Sequence, residues 1–248
     1  MAKIKVKPKK NLFDAENPVT MWETIRGYFE QNARQIGAIT LAVVVVAAAV
    51  LVYGSMKASS ERESLNMFYI AMSTMIASVD SKDGTAKPAV YEKALALFKE
   101  VKEKHGGTTP GAMSLLYAGN CAYSLKKYDD AMGYYKEFLD TAHGTLQYLR
   151  SAGYEGMGYT CEAKGEFKQA AEWFEKQKNE LQAEGGGAAV LNLARVLELG
   201  GEKQKACEQY KEFLEKNPLS GQKQFAMIKA DSLCAKKVKE ALPQYSGQ

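Results

Sequence analysis

The amino-acid sequence predicts an all-α protein: a single N-terminal transmembrane helix, an α-solenoid of about four helical hairpins, and a C-terminal capping helix. Three observations support this prediction. A run of 22 uncharged residues follows Arg34, an alanine-centred pattern then recurs every 36 to 39 residues, and glycines separate the recurring units. Repeats of this length are typical of solenoids, in which stacked neighbours bury a core that no single unit could form.

The charges of the 248-residue chain are unevenly placed, although its formal net charge is only +4. Seven Lys or Arg residues face four acids before residue 36, whereas 26 basic residues face 25 acids from residue 57 onward. Nucleic-acid binding needs a basic surface on the folded domain, so this balance argues against nucleic acid as a partner. The basic segment 1–19 is predicted to be a cytoplasmic tail.

Residues 20–35 are predicted to form an amphipathic juxtamembrane helix. Thr20 and Glu23 make a capping-box pattern just after Pro18, and apolar residues then recur at helical spacing from Trp22 onward. Two interpretations stay open. The helix is either a membrane-surface or partner-docking element, or simply the cytoplasmic extension of the transmembrane helix.

Residues 36–56 are the predicted transmembrane helix. The uncharged run would extend roughly 33 Å as a helix, which is enough to cross a hydrocarbon core of about 30 Å. A cleaved signal peptide is the alternative, but both the 35 residues before Ile36 and the apolar run are too long for one, so we favour a retained anchor. The positive-inside rule then predicts a cytoplasmic N-terminus and a periplasmic C-terminal region in the inner membrane of a bacterium.

The predicted span also offers small residues at which a second transmembrane helix could approach closely. Such residues favour helix contacts in a bilayer, although small-residue spacing arises readily in a span rich in alanine and valine. The candidate contact residues are Gly37, Ala38, Ala42 and Ala49.

Four segments of the region 57–248 align around one alanine. The pivot alanines and the aromatic residues four positions after them are Ala94 with Phe98, Ala131 with Tyr135, Ala170 with Phe174, and Ala206 with Tyr210. A small residue lies twelve positions before the pivot in three units, at Gly119, Gly158 and Ala194. Two helices cross closely only where the crossing residues are small, and the aromatic rings can then fill the space between neighbouring hairpins.

This skeleton over Met113–Pro218 resembles the tetratricopeptide repeat (TPR) family, with a degenerate unit before it. The resemblance implies that each hairpin has a first helix, A, and a second helix, B. Ser59–Val79 is then the first A helix, and Gln222–Lys236 is the capping helix. The chain departs from the family where helix A normally carries an aromatic residue, at Ala122, Cys161 and Leu197. Its spacing also exceeds 34 residues, which implies longer helices or loops.

No catalytic, metal or cofactor motif is evident in the sequence. It contains two histidines, His105 and His143, and no pair of cysteines in a CxxC pattern, so a zinc site has almost no support. The glycines 185–187 lack the Lys-Ser/Thr of a phosphate-binding loop. The sequence therefore predicts a non-enzymatic protein without metal, cofactor or small-molecule substrate.

The four cysteines are consistent with either free thiols or disulfides. An even number leaves disulfides open in an exported domain. We favour free thiols, because each cysteine falls where a helical repeat places a small buried residue. The residues are Cys121, Cys161, Cys207 and Cys234.

Protein binding is the predicted function class, because the exposed faces of successive A helices would line a concave groove. Its mixed polar and apolar character suits an extended peptide or a partner helix, and it lacks the convergent basic residues that capture a C-terminal carboxylate. A generic solvent-facing surface, with the real interface elsewhere, is the alternative. The candidate groove residues are Met113, Leu116, Asn120, Tyr123, Glu155, Tyr159, Glu162, Leu191, Arg195 and Glu198.

The order of segments in the whole chain resembles the YfgM family of bacterial inner-membrane proteins. The matching residues are Tyr28–Asn32, which read YFEQN, and the span after them. The resemblance implies an ancillary subunit of the Sec translocon that works beside a periplasmic chaperone, with translocon or chaperone subunits and the lipid bilayer as partners. Two alternatives stay open: an accessory or assembly subunit of another inner-membrane complex (respiratory, pilus or outer-membrane biogenesis machinery), or a structural homo-oligomer.

Overall fold

The structure is a computed structural model that describes residues 18–77, 88–181 and 186–234. These ranges contain nine α-helices, one 3₁₀ helix and no strand, so the predicted all-α class is confirmed. The helices are α1 (Pro18–Ile76), α2 (Pro88–His105), α3 (Thr109–Ser124), α4 (Tyr128–Thr141), α5 (Arg150–Ala163), α6 (Phe167–Glu180), α7 (Gly187–Leu199), α8 (Lys203–Lys216) and α9 (Lys223–Cys234), with the 3₁₀ helix at Gly144–Leu149. Residues 1–17 of the predicted tail lie outside the described residues.

The chain divides into two compact units, Met1–Ala58 and Ser59–Gln248. In the first unit, α1 contains both the predicted juxtamembrane segment and the predicted span. Its backbone departs from helical values at Asn32 (φ −112°, ψ 15°), whose side-chain amide donates to the Tyr28 carbonyl at 2.9 Å. Within the described residues α1 is the one helix that is long and apolar enough to cross a membrane, and none of its most apolar stretch is buried.

The second unit is an array of helical hairpins. The Ser59–Ile76 part of α1 and helix α2 form the first hairpin, and three more follow as α3/α4, α5/α6 and α7/α8 before the cap α9. Phe68 joins the first two hairpins, because its ring centroid lies 5.7 Å from that of Phe98 and 5.4 Å from that of Tyr117. The first A helix therefore ends at Ile76, and residues 78–79 and 235–236 of the predicted first and capping helices lie outside the described residues.

The pattern of pivot alanines, aromatic residues and small residues builds the core of this array. All four pivot alanines and the four aromatic residues that follow them are buried. A Cβ atom added to Gly119 would lie 2.5 Å from Tyr135 Cε1, and one added to Gly158 would lie 2.6 Å from Phe174 Cε1. These are far inside van der Waals contact, so the B-helix ring occupies the volume that a larger A-helix side chain would need.

The turns from helix A to helix B are identical in the last three hairpins. Three residues connect the helices in each case, and the central residue has a positive φ: Lys126 (59°), Gly165 (77°) and Gly201 (82°). The next amide reaches back to close the helix end, as Lys127 N–H does to the Ala122 carbonyl at 2.9 Å. Glycine adopts this left-handed conformation freely, whereas a residue with a Cβ atom is strained in it.

Lys126 is therefore the one strained residue of the three equivalent turns. We expect Lys126→Gly to raise the free energy of unfolding by about 0.5–1 kcal/mol, and Gly165→Ala to lower it by about 1 kcal/mol. Urea unfolding of the full chain in detergent micelles, followed by circular dichroism, measures both changes. An equal effect of glycine at Lys126 and at the neighbouring Lys127 would contradict this explanation.

Candidate binding groove on the A helices

A cavity of about 350 Å³ opens between the A helices of the second and third hairpins. A glycine of each A helix, Gly119 on α3 and Gly156 on α5, lies against the ring of Tyr135. The cavity and the side chains that continue its line along α7 are called the A-helix groove below. The cavity is lined by Leu116, Asn120, Tyr123, Ser124, Tyr135, Ala152, Glu155, Gly156 and Tyr159.

Five predicted groove residues thus meet at one place, although they come from two helices whose corresponding residues are about 40 positions apart in sequence. The floor includes Tyr135, a residue of the B helix α4, which reaches the cavity because Gly119 and Gly156 leave room for its ring. Its hydroxyl donates to Asn120 Oδ1 at 2.8 Å. Burial raises the pKa of Tyr135, so the ring stays a neutral phenol.

Hydrogen bonds continue the A-helix groove from α5 to α7. The Tyr159 hydroxyl donates to Asn192 Oδ1 at 3.1 Å, and Asn192 Nδ2 donates to Glu155 Oε1 at 3.4 Å. Arg195 forms an ion pair with Glu162, and its guanidinium carbon lies 5.8 Å from the centroid of the Tyr159 ring. This network fixes the rotamers of the polar side chains that a partner would meet.

The cap α9 closes the far end of the groove. Glu198 accepts a hydrogen bond from the Tyr210 hydroxyl at 3.2 Å and forms an ion pair with Lys229 Nζ at 2.8 Å. The pKa of Tyr210 is raised by burial and by the adjacent Glu198 carboxylate. Glu198 therefore serves contacts within the array and offers less to a partner than the sequence prediction implied.

Three apolar groove candidates differ from the expectation of an exposed face. Leu116 is only 4% exposed and Leu191 only 8%, and both belong to hydrophobic core clusters. Met113 is half-buried and packs against two core clusters, one that contains Phe98 and one that contains Tyr135. Leu116 still borders the cavity, whereas Leu191, at the equivalent position of α7, lies in the core beside Val190 and Ala194.

Sequence reasoning missed Asn192, whose side chain is hydrogen-bonded to Tyr159 and Glu155 in the groove. The repeat register, with Ala194 aligned on Gly158, gives residue 191 and not residue 192 as the counterpart of Glu155. A signal was present, since Asn192 and Arg195 are the only polar residues between Gly187 and Glu198. Polar residues within an apolar helix mark its accessible side.

The candidate transmembrane contacts lie on the apolar part of α1. Gly37, Ala38, Ala42 and Ala49 are all exposed, and a Cβ atom on Gly37 would meet nothing within 4 Å. Their role in contacting another helix stays a prediction.

The cysteines divide into two kinds. Cys121 and Cys161 are free and buried, as favoured from the sequence, whereas Cys207 and Cys234 form a disulfide that joins α8 to α9 with their Cα atoms 5.8 Å apart. The expectation of free thiols is therefore wrong for this pair. Their spacing of 27 residues gives no sign of pairing, because two buried helix positions look alike whether or not they face each other.

The free thiols are expected to resist alkylation in the folded chain. Burial raises the pKa of Cys121 to about 12 and also raises that of Cys161, so neither forms the reactive thiolate near neutral pH. Iodoacetamide at about pH 8 should modify both residues only after unfolding in urea, as read by intact mass. Ser124→Cys supplies an exposed thiol on the same helix as a positive control. Rapid modification of native Cys121 would contradict the burial argument.

No group of three His, Cys, Asp or Glu side chains within the described ranges is arranged to hold a metal ion. The polar groups of the groove are instead used in hydrogen bonds and ion pairs between helices.

Stacked hairpins with small crossing residues and an open face on their A helices define a class: an α-solenoid built for protein binding. Residues 113–142 and 188–220 match the model of the tetratricopeptide repeat. The chain therefore contains tetratricopeptide repeats, in the second and fourth hairpins by sequence. No curated protein matches this sequence.

Several solved structures are similar to this chain at low sequence identity. One is YrrB, described as a TPR protein with an unusual peptide-binding site: 18% identity, 61% of this chain and 71% of that chain covered, TM-score 0.47. The MamA protein shows 19% identity, coverage of 68% and 96%, and a TM-score of 0.43. PilF of Pseudomonas aeruginosa shows 17% identity, coverage of 77% and 93%, and a TM-score of 0.42. Likeness at this level carries no inference about function.

Proposed function

We propose that this chain is a non-enzymatic scaffold anchored in a bacterial inner membrane by α1, with its TPR array in the periplasm. The A-helix groove binds an extended segment or a helix of a partner protein. TPR arrays bind protein partners in general, and the match of two segments to the repeat model supports this class.

The open cavity between α3 and α5 is the observation that carries the proposal. It combines aromatic rings with a few polar groups whose positions are fixed by neighbouring side chains, as at Asn120 and Tyr159. Binding sites for peptides commonly join apolar surface with a small number of placed polar groups, and fixed side chains reduce the entropy lost on binding.

Membrane anchoring is supported by the apolar part of α1. Its most apolar stretch is unburied, and the large exposed side chains there include Val43, Val50 and Leu51. Continuous apolar surface of this kind is unfavourable in water and suits a hydrocarbon core.

A periplasmic location of the array is supported by the disulfide between Cys207 and Cys234. Structural disulfides persist in oxidising compartments such as the bacterial periplasm and are rare in the reducing cytosol. A reporter enzyme fused after Gln248 tests this topology. Activity of the reporter in the cytoplasm would overturn it.

The resemblance to the YfgM family suggests the partner: the Sec translocon together with a periplasmic chaperone. The anchor would hold the A-helix groove at high local concentration near emerging secretory proteins, so that weak contacts suffice. An accessory subunit of another inner-membrane complex is the second candidate. A homo-oligomer formed through Gly37, Ala38, Ala42 and Ala49 is the third, and it is favoured by their exposure on α1.

Site-specific crosslinking in native membranes tests the groove and the partner together. A photoreactive amino acid replaces Ala152, which lines the cavity, and in a control replaces Lys168, which is exposed on the B helix α6. We expect crosslinks to translocon or chaperone subunits from position 152 and few from 168. Equal crosslinking from both positions would show that the groove is not the interface. Crosslinks to a different stoichiometric partner would show that the translocon is not the partner.

A further inference from the structure

We propose that the cavity between α3 and α5 takes a lysine or arginine side chain of the bound segment, with Glu155 as its counter-charge among the tyrosine rings. The inference rests on the proposed function, since it assigns the chemistry of the segment that the A-helix groove binds.

The carboxylates of the groove are used unequally. Glu162 is paired with Arg195, and Glu198 is paired with Lys229. Glu155 takes part in no ion pair among the described residues. Its carboxylate accepts a hydrogen bond from the neutral side-chain amide of Asn192 at 3.4 Å. The two ion pairs account for the charges of Glu162 and Glu198. The negative charge that is left belongs to Glu155, which lines the cavity.

The wall of the cavity is aromatic. The rings of Tyr123, Tyr135 and Tyr159 line it together with Glu155. Hydrogen bonds to Asn120 and Asn192 hold two of these rings in place. Burial is the main cause that raises the pKa of Tyr123 and of Tyr159, so both remain neutral phenols. Electron-rich rings around one carboxylate attract a cation and disfavour an anion.

Arg195 already shows this preference of a tyrosine ring and a carboxylate for a cation. The Arg195 guanidinium lies near the Tyr159 ring while it pairs with Glu162, on the α7 side of the same face. A cationic side chain entering the cavity would meet the equivalent pair of groups, Glu155 and a tyrosine ring, on the α3 side. Its apolar stem would lie against Leu116 and Ala152, which also border the cavity.

An array of synthetic ten-residue peptides tests the proposal with the full chain in detergent micelles. Each of many unrelated sequence contexts carries lysine, arginine, norleucine or glutamate at one central position. We expect lysine and arginine to bind about five- to tenfold more tightly than norleucine in the contexts that bind, and glutamate to bind most weakly. The preference should fall as salt is raised.

Variants separate this proposal from general peptide binding. Glu155→Gln should reduce the preference for lysine over norleucine to near one, and Glu155→Lys should reverse it toward glutamate. Glu172→Gln, which changes an exposed carboxylate on α6, should leave it intact. Circular dichroism melting checks that each variant is folded.

Three outcomes overturn the proposal. If peptides bind but lysine and norleucine bind alike, the cation preference is wrong and the proposed function stands. If the preference survives in Glu155→Gln, the cation site lies elsewhere. If no peptide binds, or if blocking the cavity with Ala152→Trp changes no binding, the groove function and the cation site both fall.

Discussion

Replacing Phe174 by alanine is expected to lower the free energy of unfolding by about 3–5 kcal/mol. The ring is fully buried between the third and fourth hairpins, and it belongs to a core cluster with Val190 and Ala194 of α7. It also fills the space above Gly158 and lies 5.3 Å, centroid to centroid, from the ring of Tyr159. The truncation would therefore leave a cavity at the junction that aligns α5 with α7.

Urea unfolding of the full chain in detergent micelles measures this loss. Tyr148→Ala is the matched control, because Tyr148 is 70% exposed and its removal should change stability by less than about 0.5 kcal/mol. Since Tyr159 packs on Phe174, Phe174→Ala should also weaken peptide binding at the groove. If both variants unfolded at the same urea concentration, the hairpin junction would not be the source of stability described here.

Removing the disulfide between Cys207 and Cys234 is expected to cost about 3–4 kcal/mol, as estimated from the loop that it closes. The two residues are 27 positions apart, so the bond strongly restricts the unfolded chain. The effect should centre on α8 and α9, since Ala226 and Ala230 of the cap pack on the core beside Tyr210.

Reduction of the wild-type chain should lower its melting temperature, whereas the double variant Cys207→Ala/Cys234→Ala should melt low with or without reductant. Cys121→Ala serves as the control for replacing a buried cysteine that forms no bond. Alkylation of the unfolded, unreduced chain should modify two cysteines. Modification of four cysteines would show that the disulfide is absent, and the disulfide would then no longer support a periplasmic location of the array.

The parts of the fold that follow from local spacing were predictable from the sequence. The pivot alanines, their aromatic partners and the small residues at Gly119 and Gly158 all lie where the repeat pattern predicts, because each position depends on one hairpin and its neighbour. The capping helix was predictable for the same reason, since the last hairpin needs a cover for its apolar face.

The parts that depend on the rotation of one helix against another were not predictable. The repeat register predicts Leu191 in the groove, whereas Leu191 is buried in the core and the next residue, Asn192, meets Tyr159. The pairing of Cys207 with Cys234 likewise depends on how α9 lies across α8. A shift of one residue on a helix moves a side chain by about 100°, which the sequence period alone does not determine.

The uniform turns between A and B helices have a consequence for how this array tolerates change in length. Since three residues connect A to B in each of the last three hairpins, the differences in their spacing fall elsewhere, in the long helix α2 and in the connections 142–149 and 181–186. Insertions and deletions can accumulate in the B-to-A connections while the A-to-B turns of these three hairpins keep their geometry. The connection that contains the exposed Tyr148 is where a fluorescent label or an affinity tag should be accepted without altering the stacking of the hairpins.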